Sequence, residues 1–322
     1  GGEYFLLVPL ALIAVLTLRS SLNIGLRHIL PAYPFLIVLA SSVITLRFGR
    51  PVIAKAAFAT FSVWYAVSTL SIFPSYLAYF NEFVGPDRGY RYLVDSNLDW
   101  GQDLKRLKKY MDKNGVEEVY LSYFGTADPA YYGIGCRELM GTLRACKYKR
   151  SGVPRFLAVS ATNLQAVYMP DKHTFDWLKK REPAARIGYS IFVYDLSGDA
   201  LAYNGIGGTI LKIEELSRLQ PEELREALLA FEEAVRLKPG EPVLHANLGI
   251  TYALLSEDRR ARRELTAAMS MDPASSEAYT GMGILYLNRG LKFQAMSAFK
   301  RALVLDPDNH MAKRRLDALM RR

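Results

Sequence analysis

Three prolines, Pro239, Pro273 and Pro307, stand 34 residues apart twice in succession. An interval of that length holds a pair of short helices and their turns, and a chain that repeats it stacks the pairs, because one pair alone cannot bury its apolar face. Between the first two prolines come Leu248, Gly249, Tyr252, Ala261 and Ala268; between the second two come Tyr279, Gly283, Tyr286, Ala295, Phe299 and Ala302. The small residues let paired helices approach closely, and the large ones fill the hole opposite. Upstream, Ala227, Phe231 and Ala234 repeat the second half of the pattern without its first half, so that unit reads as partial. Beyond Pro307, the segment from His310 to Arg322 reads as a basic capping helix that closes the stack.

This period and pattern resemble the tetratricopeptide repeat, about two and a half copies of it. The resemblance implies a concave surface that binds a protein partner. Its candidate groove residues are Val243, Asn247, Ile250, Leu254, Ile284 and Leu287, with packing against a neighbouring domain as the alternative for the apolar ones. Asn247 alone fits the Lys and Asn pattern by which such repeats clamp a carboxylate.

Charge is distributed unevenly. Only six Lys, Arg, Asp or Glu fall in residues 1–80, while the remaining residues hold 67. That asymmetry excludes a single soluble globular domain, and the composition excludes disorder and a disulfide framework, since the chain has two cysteines. Three charge-free stretches, Tyr4–Leu18, Ile29–Leu46 and Ala56–Phe80, read as membrane-spanning helices. Pro31 and Pro34 suit the first turns of the second, and Pro74 kinks the third or marks its exit. Tyr76, Tyr79, Phe80 and Phe83 follow as an interfacial aromatic belt. The Lys/Arg bias places the loop Arg47–Lys55 in the cytoplasm, so everything after Phe80 is expected outside it. The net charge of +9 suits an anionic lipid surface. Nucleic acid is not expected as a partner, because the basic residues are scattered with no stacking aromatics between them.

From about residue 90 to 200, helix and strand signals alternate, which predicts a small α/β domain. Asp99 with Gln102 makes a capping-box pattern ahead of the apolar stripe Leu104, Leu107 and Met111. Val119–Phe124, Phe156–Ser160 and Ser190–Tyr194 read as strands, and Thr174–Arg181 as a short helix. Gly205, Gly207 and Gly208 read as a linker. Asp95, Asp99 and Asp103 are spaced closely enough to contact a cation or a hydroxylated acceptor, against the simpler reading of a cap and a solvated face. Cys136 and Cys146 form a disulfide if the domain is extracytoplasmic. No set of side chains has metal-ligand spacing, and no catalytic residue can be assigned.

The run Arg27-His28-Ile29-Leu30-Pro31-Ala32-Tyr33-Pro34-Phe35 resembles the Arg-Tyr-Leu-Leu-Pro segment of GT-C membrane glycosyltransferases, the relatives of protein O-mannosyltransferases and of the lipid A aminoarabinose transferase. His28 stands where Tyr is usual. Tyr79-Phe80-Asn81-Glu82 and the run from Asp95 to Leu104 resemble a bacterial branch of that family, as do Tyr123–Pro129 and Ala185–Phe192. The resemblance covers residues 27 to about 195. It implies transfer of a sugar from a polyprenyl-phosphate carrier at the outer face of the inner membrane, with Arg27 and His28 at the lipid phosphate. It also implies a catalytic carboxylate upstream of Gly1. No cofactor is expected in this chain, and a divalent cation is compatible with the longer enzyme.

The expected fold is therefore multidomain: three α-helical transmembrane segments over 1–80, ending a longer membrane domain, an extracytoplasmic α/β domain over 81–205, and a linker with an all-α tetratricopeptide-repeat solenoid over 206–322. The expected partners are membrane lipid, the sugar donor and a protein held by the repeats. The competing reading is a non-enzymatic membrane-anchored scaffold. A transporter is disfavoured, since no expected span contains an ionisable residue.

Overall fold

The computed structural model describes residues 4–20, 29–42, 51–139, 146, 152–211 and 221–321. It opens with three helices, α1 (Tyr4–Arg19), α2 (Tyr33–Ser42) and α3 (Pro51–Ser71), of 16, 10 and 21 residues. No described helix is long and apolar enough to cross a membrane. α1 has the extent expected for the first span, the end expected for the second at Leu46 lies outside the described residues, and the extent of the third is corrected. The third stops at Ser71 instead of running to Phe80, because Pro74 has no N–H with which to continue the ladder. The chain turns at Phe73-Pro74, a cis peptide, and makes one 3-10 turn at Tyr76–Ala78. Phe5, Leu12, Leu16, Ile37, Phe58 and Leu70 nevertheless all stand exposed on these helices.

The middle of the chain contains α4 (Pro86–Gly89), α5 (Leu104–Lys113), β1 (Glu118–Ser122), β2 (Gly135–Glu138), β3 (Phe156–Ser160), α6 (Ala161–Leu164), α7 (Asp176–Lys179), β4 (Ala185–Ile187) and β5 (Ile191–Asp195). The strands form one five-stranded sheet in the order β2-β1-β3-β5-β4. β1 runs parallel to both β2 and β3, while β5 is antiparallel to β3 and β4. The period-2 alternation of the strands splits the core into two layers. Val119, Leu121, Val193 and Ile191 face α5, whose Leu104, Leu107 and Met111 are buried against them. Tyr120, Leu157, Val159 and Phe192 face the opposite way, into a second layer with Phe175 and Leu178. α5 begins at Leu104 rather than at Asp99, and Gln102 accepts a hydrogen bond from the Trp100 backbone instead of completing a capping box.

Where a glycine linker was expected there is a helix, α8 (Ala200–Leu211). Asp199 caps its start by accepting the Ala202 N–H at 2.8 Å. The helices that follow are α9 (Pro221–Leu237), α10 (Pro242–Leu254), α11 (Asp258–Met271), α12 (Ser276–Asn288), α13 (Lys292–Leu305) and α14 (His310–Met320). Pro239, Pro273 and Pro307 each lie two residues past the end of α9, α11 and α13, the position at which proline stops a helix. The repeats are the pairs α8–α9, α10–α11 and α12–α13, with α14 as the closing helix. Asn309 caps α14 and donates to Ser276 and Thr280 on α12, which fastens that closing helix.

The first pair is thus complete, with α8 as its missing member. Each pair uses the same interlock: Gly207 lies against Phe231, Gly249 against Leu265 and Gly283 against Phe299, with no room for a Cβ at any of the three. The other side of α8 is covered by the α/β domain. Gly205 lies against the Trp177 ring of α7, and the Trp177 indole N–H donates to Thr209. One continuous buried cluster consequently runs from Tyr120 and Leu157 of the sheet through Ile206 of α8 to Phe299 and Leu316 of the last helices.

A Gly207→Ala change should therefore destabilise the chain by about 1–3 kcal/mol, the usual cost of overpacking. Gly208→Ala, which points its methyl into open space, should stabilise it by roughly 0.5–1 kcal/mol. Urea denaturation of the two variants side by side tests the assignment of α8.

Candidate functional site

The three aspartates expected to contact an acceptor or cation lie together over the carboxyl ends of the parallel strands β1 and β3, where open α/β sheets place their crevice. They do not face one ligand. Asp99 is fully buried and accepts the backbone N–H groups of Gly101 and Thr162. Asp103, also buried, accepts Ser190 Oγ at 2.6 Å and Arg106 at 2.9 Å. Arg106 in turn donates to Ser75, which ties the turn after α3 to the α/β domain. Only Asp95 is near the surface. Its backbone is left-handed at φ 56, its amide donates to Thr162 Oγ1, and its carboxylate accepts the Tyr168 hydroxyl at 2.7 Å.

Aromatic side chains surround that outer corner. Phe124 stacks on the exposed Tyr168 ring at 5.7 Å, and Trp100 is exposed with its indole N–H on Ser96 O. Tyr123, by contrast, turns inward: its hydroxyl donates to Gly101 O at 2.6 Å, and burial pushes its pKa up to about 12. Burial likewise raises Asp99 to about 6, because its ionised form loses water that the hydrogen bonds from Gly101 and Thr162 replace only in part. Among the described residues, no group of His, Cys, Asp or Glu is arranged to hold a metal ion.

The expected repeat groove is largely filled. Ile250 and Ile284 are buried in the core, and Val243, Leu254 and Leu287 pack against it. Ile250 lies beside Gly281 of α12, so the inner-face position of one repeat is spent on its neighbour. Asn247, the clamp candidate, donates to Asn204 of α8 at 2.9 Å. The uncounted helix α8 explains this, since it occupies the side of α10 that a shorter stack would leave open. Cys136, on β2, and Cys146 are joined by a disulfide. Arg27 and His28 lie outside the described residues.

Two arrangements are not foreseen by sequence spacing, although the second contains Tyr79 and Glu82 of the run Tyr79-Phe80-Asn81-Glu82. Arg137, on edge strand β2, is fully buried; it donates to Glu118 at 3.0 Å and to both oxygens of Glu226 on α9 at 2.9 and 3.2 Å. This ion triad joins the sheet to the repeats beside the buried Tyr120 ring. The partners lie 19 and 89 residues from Arg137 along the chain, so no local spacing reveals them. The second is a carboxylate, Glu82, held at the end of α3 by Ser68, Tyr79 and Trp64.

No protein-family model matches the chain. It is 25% identical over 108 residues to small glutamine-rich tetratricopeptide repeat-containing protein 2 of Mycosarcoma maydis, covering 34% of this chain and 31% of that protein. It is 32% identical over 104 residues to protein O-mannosyl-transferase TMTC1 of Mus musculus, covering 30% of this chain and 11% of that protein. The chain thus spans less than a third of the length of these curated relatives. Among solved structures it is similar to the Arabidopsis OM64 TPR domain, at 22% identity and a TM-score of 0.30, over 38% of this chain and 94% of that one. It is also similar to TTC0263 of Thermus thermophilus, at 23% identity and a TM-score of 0.31, over 39% of this chain and 66% of that one. The C-terminal third is a tetratricopeptide-repeat solenoid, as its helix pairs and glycine interlocks show directly.

Removing the cation of the triad leaves two carboxylates facing each other in the core. Arg137→Met should cost about 3–5 kcal/mol, and adding Glu226→Met should recover a substantial part of it. Chemical denaturation of the single and double variants measures both.

Asp99 gives a pH prediction of defined sign. Its folded pKa, about 6, lies above the ordinary aspartate value of 3.8, so the folded state holds the proton more tightly between those values. Its contribution is present at low pH and is lost as pH rises from about 4 through 6, by roughly 2–3 kcal/mol. In Asp99→Asn the denaturation midpoint should lose that part of its decline between pH 4 and pH 7.

Proposed function

We propose that this chain is the C-terminal portion of a membrane glycosyltransferase that uses a polyprenyl-phosphate sugar, with its repeats serving as a protein-interaction module outside the cytoplasm. One combination carries the reading: charge-poor helices with exposed apolar side chains are joined, through an α/β domain, to tetratricopeptide repeats. The partial similarity to an O-mannosyl-transferase supports it, as does the resemblance of Arg27–Phe35 to the GT-C segment. α1–α3 then belong to a larger helical bundle in lipid, where their exposed apolar faces find partners or acyl chains.

In that reading an acceptor hydroxyl attacks the anomeric carbon of the donor. The bond from that carbon to the carrier phosphate breaks, a carboxylate outside this chain takes the hydroxyl proton, and the lipid phosphate leaves. By the family resemblance Arg27, with His28, is assigned to the leaving phosphate, an anion that a guanidinium is suited to pair with. The α/β domain presents its aromatic corner, Trp100, Phe124 and Tyr168 with Asp95, towards the acceptor. Asp99 and Asp103 hold that corner in place. Among the described residues no group of His, Cys, Asp or Glu is arranged to hold a divalent cation, and a cation site is proposed only for the longer enzyme.

The test is transfer from a labelled polyprenyl-phosphate hexose in vesicles containing the full-length protein. Arg27→Ala should lower transfer by about tenfold or more at unchanged membrane level, as loss of a charged hydrogen bond to the leaving group requires. Transfer that persists at the wild-type rate removes Arg27 from the phosphate site. Absence of transfer from the wild type, with every candidate donor, leaves the scaffold reading in its place.

A further inference from the structure

Where α3 ends, the returning turn at Tyr76–Glu82 leaves a cavity of about 550 Å³ against the helix. Phe61, Trp64, Tyr65, Tyr76 and Tyr79 wall it, and Glu82 stands at its rim. A second hollow of about 300 Å³ shares Trp64, Ser68, Tyr79 and Glu82, so the carboxylate lies at the junction of the two. Glu82 Oε1 accepts Ser68 Oγ at 2.7 Å, the Tyr79 hydroxyl at 2.8 Å and the Trp64 indole N–H at 3.3 Å.

All three donors are neutral. Led by Ser68 and Tyr79, and joined by the Glu82 backbone, they hold Glu82 well below the usual carboxylate range, at about 2. A fixed negative charge within a set of aromatic rings is the complement of an organic cation. The carboxylate supplies the counter-charge, and the ring faces supply cation–π attraction. A neutral sugar fits less well, because the hydroxyls of Ser68 and Tyr79 are already directed at Glu82 and are not free to read a ring of sugar hydroxyls. Phe58, one turn before Phe61 on the same side of α3, and Val67, which lines the second hollow, are exposed apolar side chains beside the site, a surface suited to acyl chains.

We infer that this cavity binds the ammonium head group of a membrane phospholipid, with Glu82 as its counter-ion, Trp64, Tyr76 and Tyr79 as its aromatic walls, and the acyl chains lying along α3. The site would seat a lipid where the helix turns back towards the α/β domain, beside the Ser75–Arg106 contact. The inference shares with the proposed function only the placement of α3 in lipid and uses no transfer step, so loss of the transferase reading leaves it standing.

Calorimetric titration of the full chain in a nonionic detergent tests it. The probes are dihexanoyl phosphatidylethanolamine and dihexanoyl phosphatidylglycerol, which share chains and phosphate and differ in the ammonium group. The ethanolamine lipid should bind about tenfold more tightly. Glu82→Gln should reduce that preference to less than twofold, and Trp64→Leu should weaken it. Equal binding of the two lipids by the wild type overturns the inference without recourse to any variant. Preference retained in a folded Glu82→Gln protein overturns the role of the carboxylate. Free phosphoethanolamine binding as tightly as the lipid overturns the lipid assignment in favour of a soluble amine.

Discussion

The structure depends on a helix that is buried on two sides. α8 gives Gly207 to Phe231 of the first repeat and Gly205 to Trp177 of the α/β domain. At each contact a glycine lets an aromatic ring lie directly on helix backbone, so both partners need the missing side chain. Without α8 the first repeat would lack its inner helix, and the lower face of the sheet would lose Ile206 and Tyr203 from its core. Close packing makes such an arrangement intolerant of even one added methyl. The Arg137 triad reinforces the same seam from the sheet edge. Its charges are out of water, so its effect is felt mainly when one partner is removed. Sheet and repeats accordingly share one core rather than meeting at a polar interface of the kind that lets domains move.

The repeats were the most legible part of the sequence. Tetratricopeptide spacing is local: each glycine, tyrosine and alanine reports on the helix it belongs to or on its immediate partner. α8 escaped that pattern for a specific reason. Gly249 precedes Leu265, and Gly283 precedes Phe299, by 16 residues, whereas Gly207 precedes Phe231 by 24. The longer connection breaks the period, and a helix containing Gly205, Gly207 and Gly208 has the composition of a linker until its neighbours are known. Edge strand β2 was hidden in a similar way. Gly135-Cys136-Arg137-Glu138 has no apolar alternation, because Arg137 is buried by charges that lie far away along the chain.

The candidate site shows the same division. Proximity in sequence brought Asp95, Asp99 and Asp103 together as a set. It did not show that burial turns two of them into clamps and leaves Asp95 and the aromatic corner outside. Asp99 fastens the 95–103 segment to the start of α6, and Asp103 joins Ser190 to Arg106, whose other bond reaches Ser75. The α/β domain is in this way held against the turn that ends α3. In the groove, α8 lies beside α10 and takes up Asn247, so a partner of the repeats meets a stack whose inner positions are already engaged.

Native-state hydrogen exchange on the full chain tests the shared core most directly. If α8 joins the sheet to the repeats, amides of β1, β3 and α8 should open with the same free energy as those of α10 and α12, within about 1 kcal/mol, as one cooperative unit. Exchange of the sheet and α8 at a much lower free energy, while α10–α13 stay protected, would contradict the account and return α8 to the status of a linker.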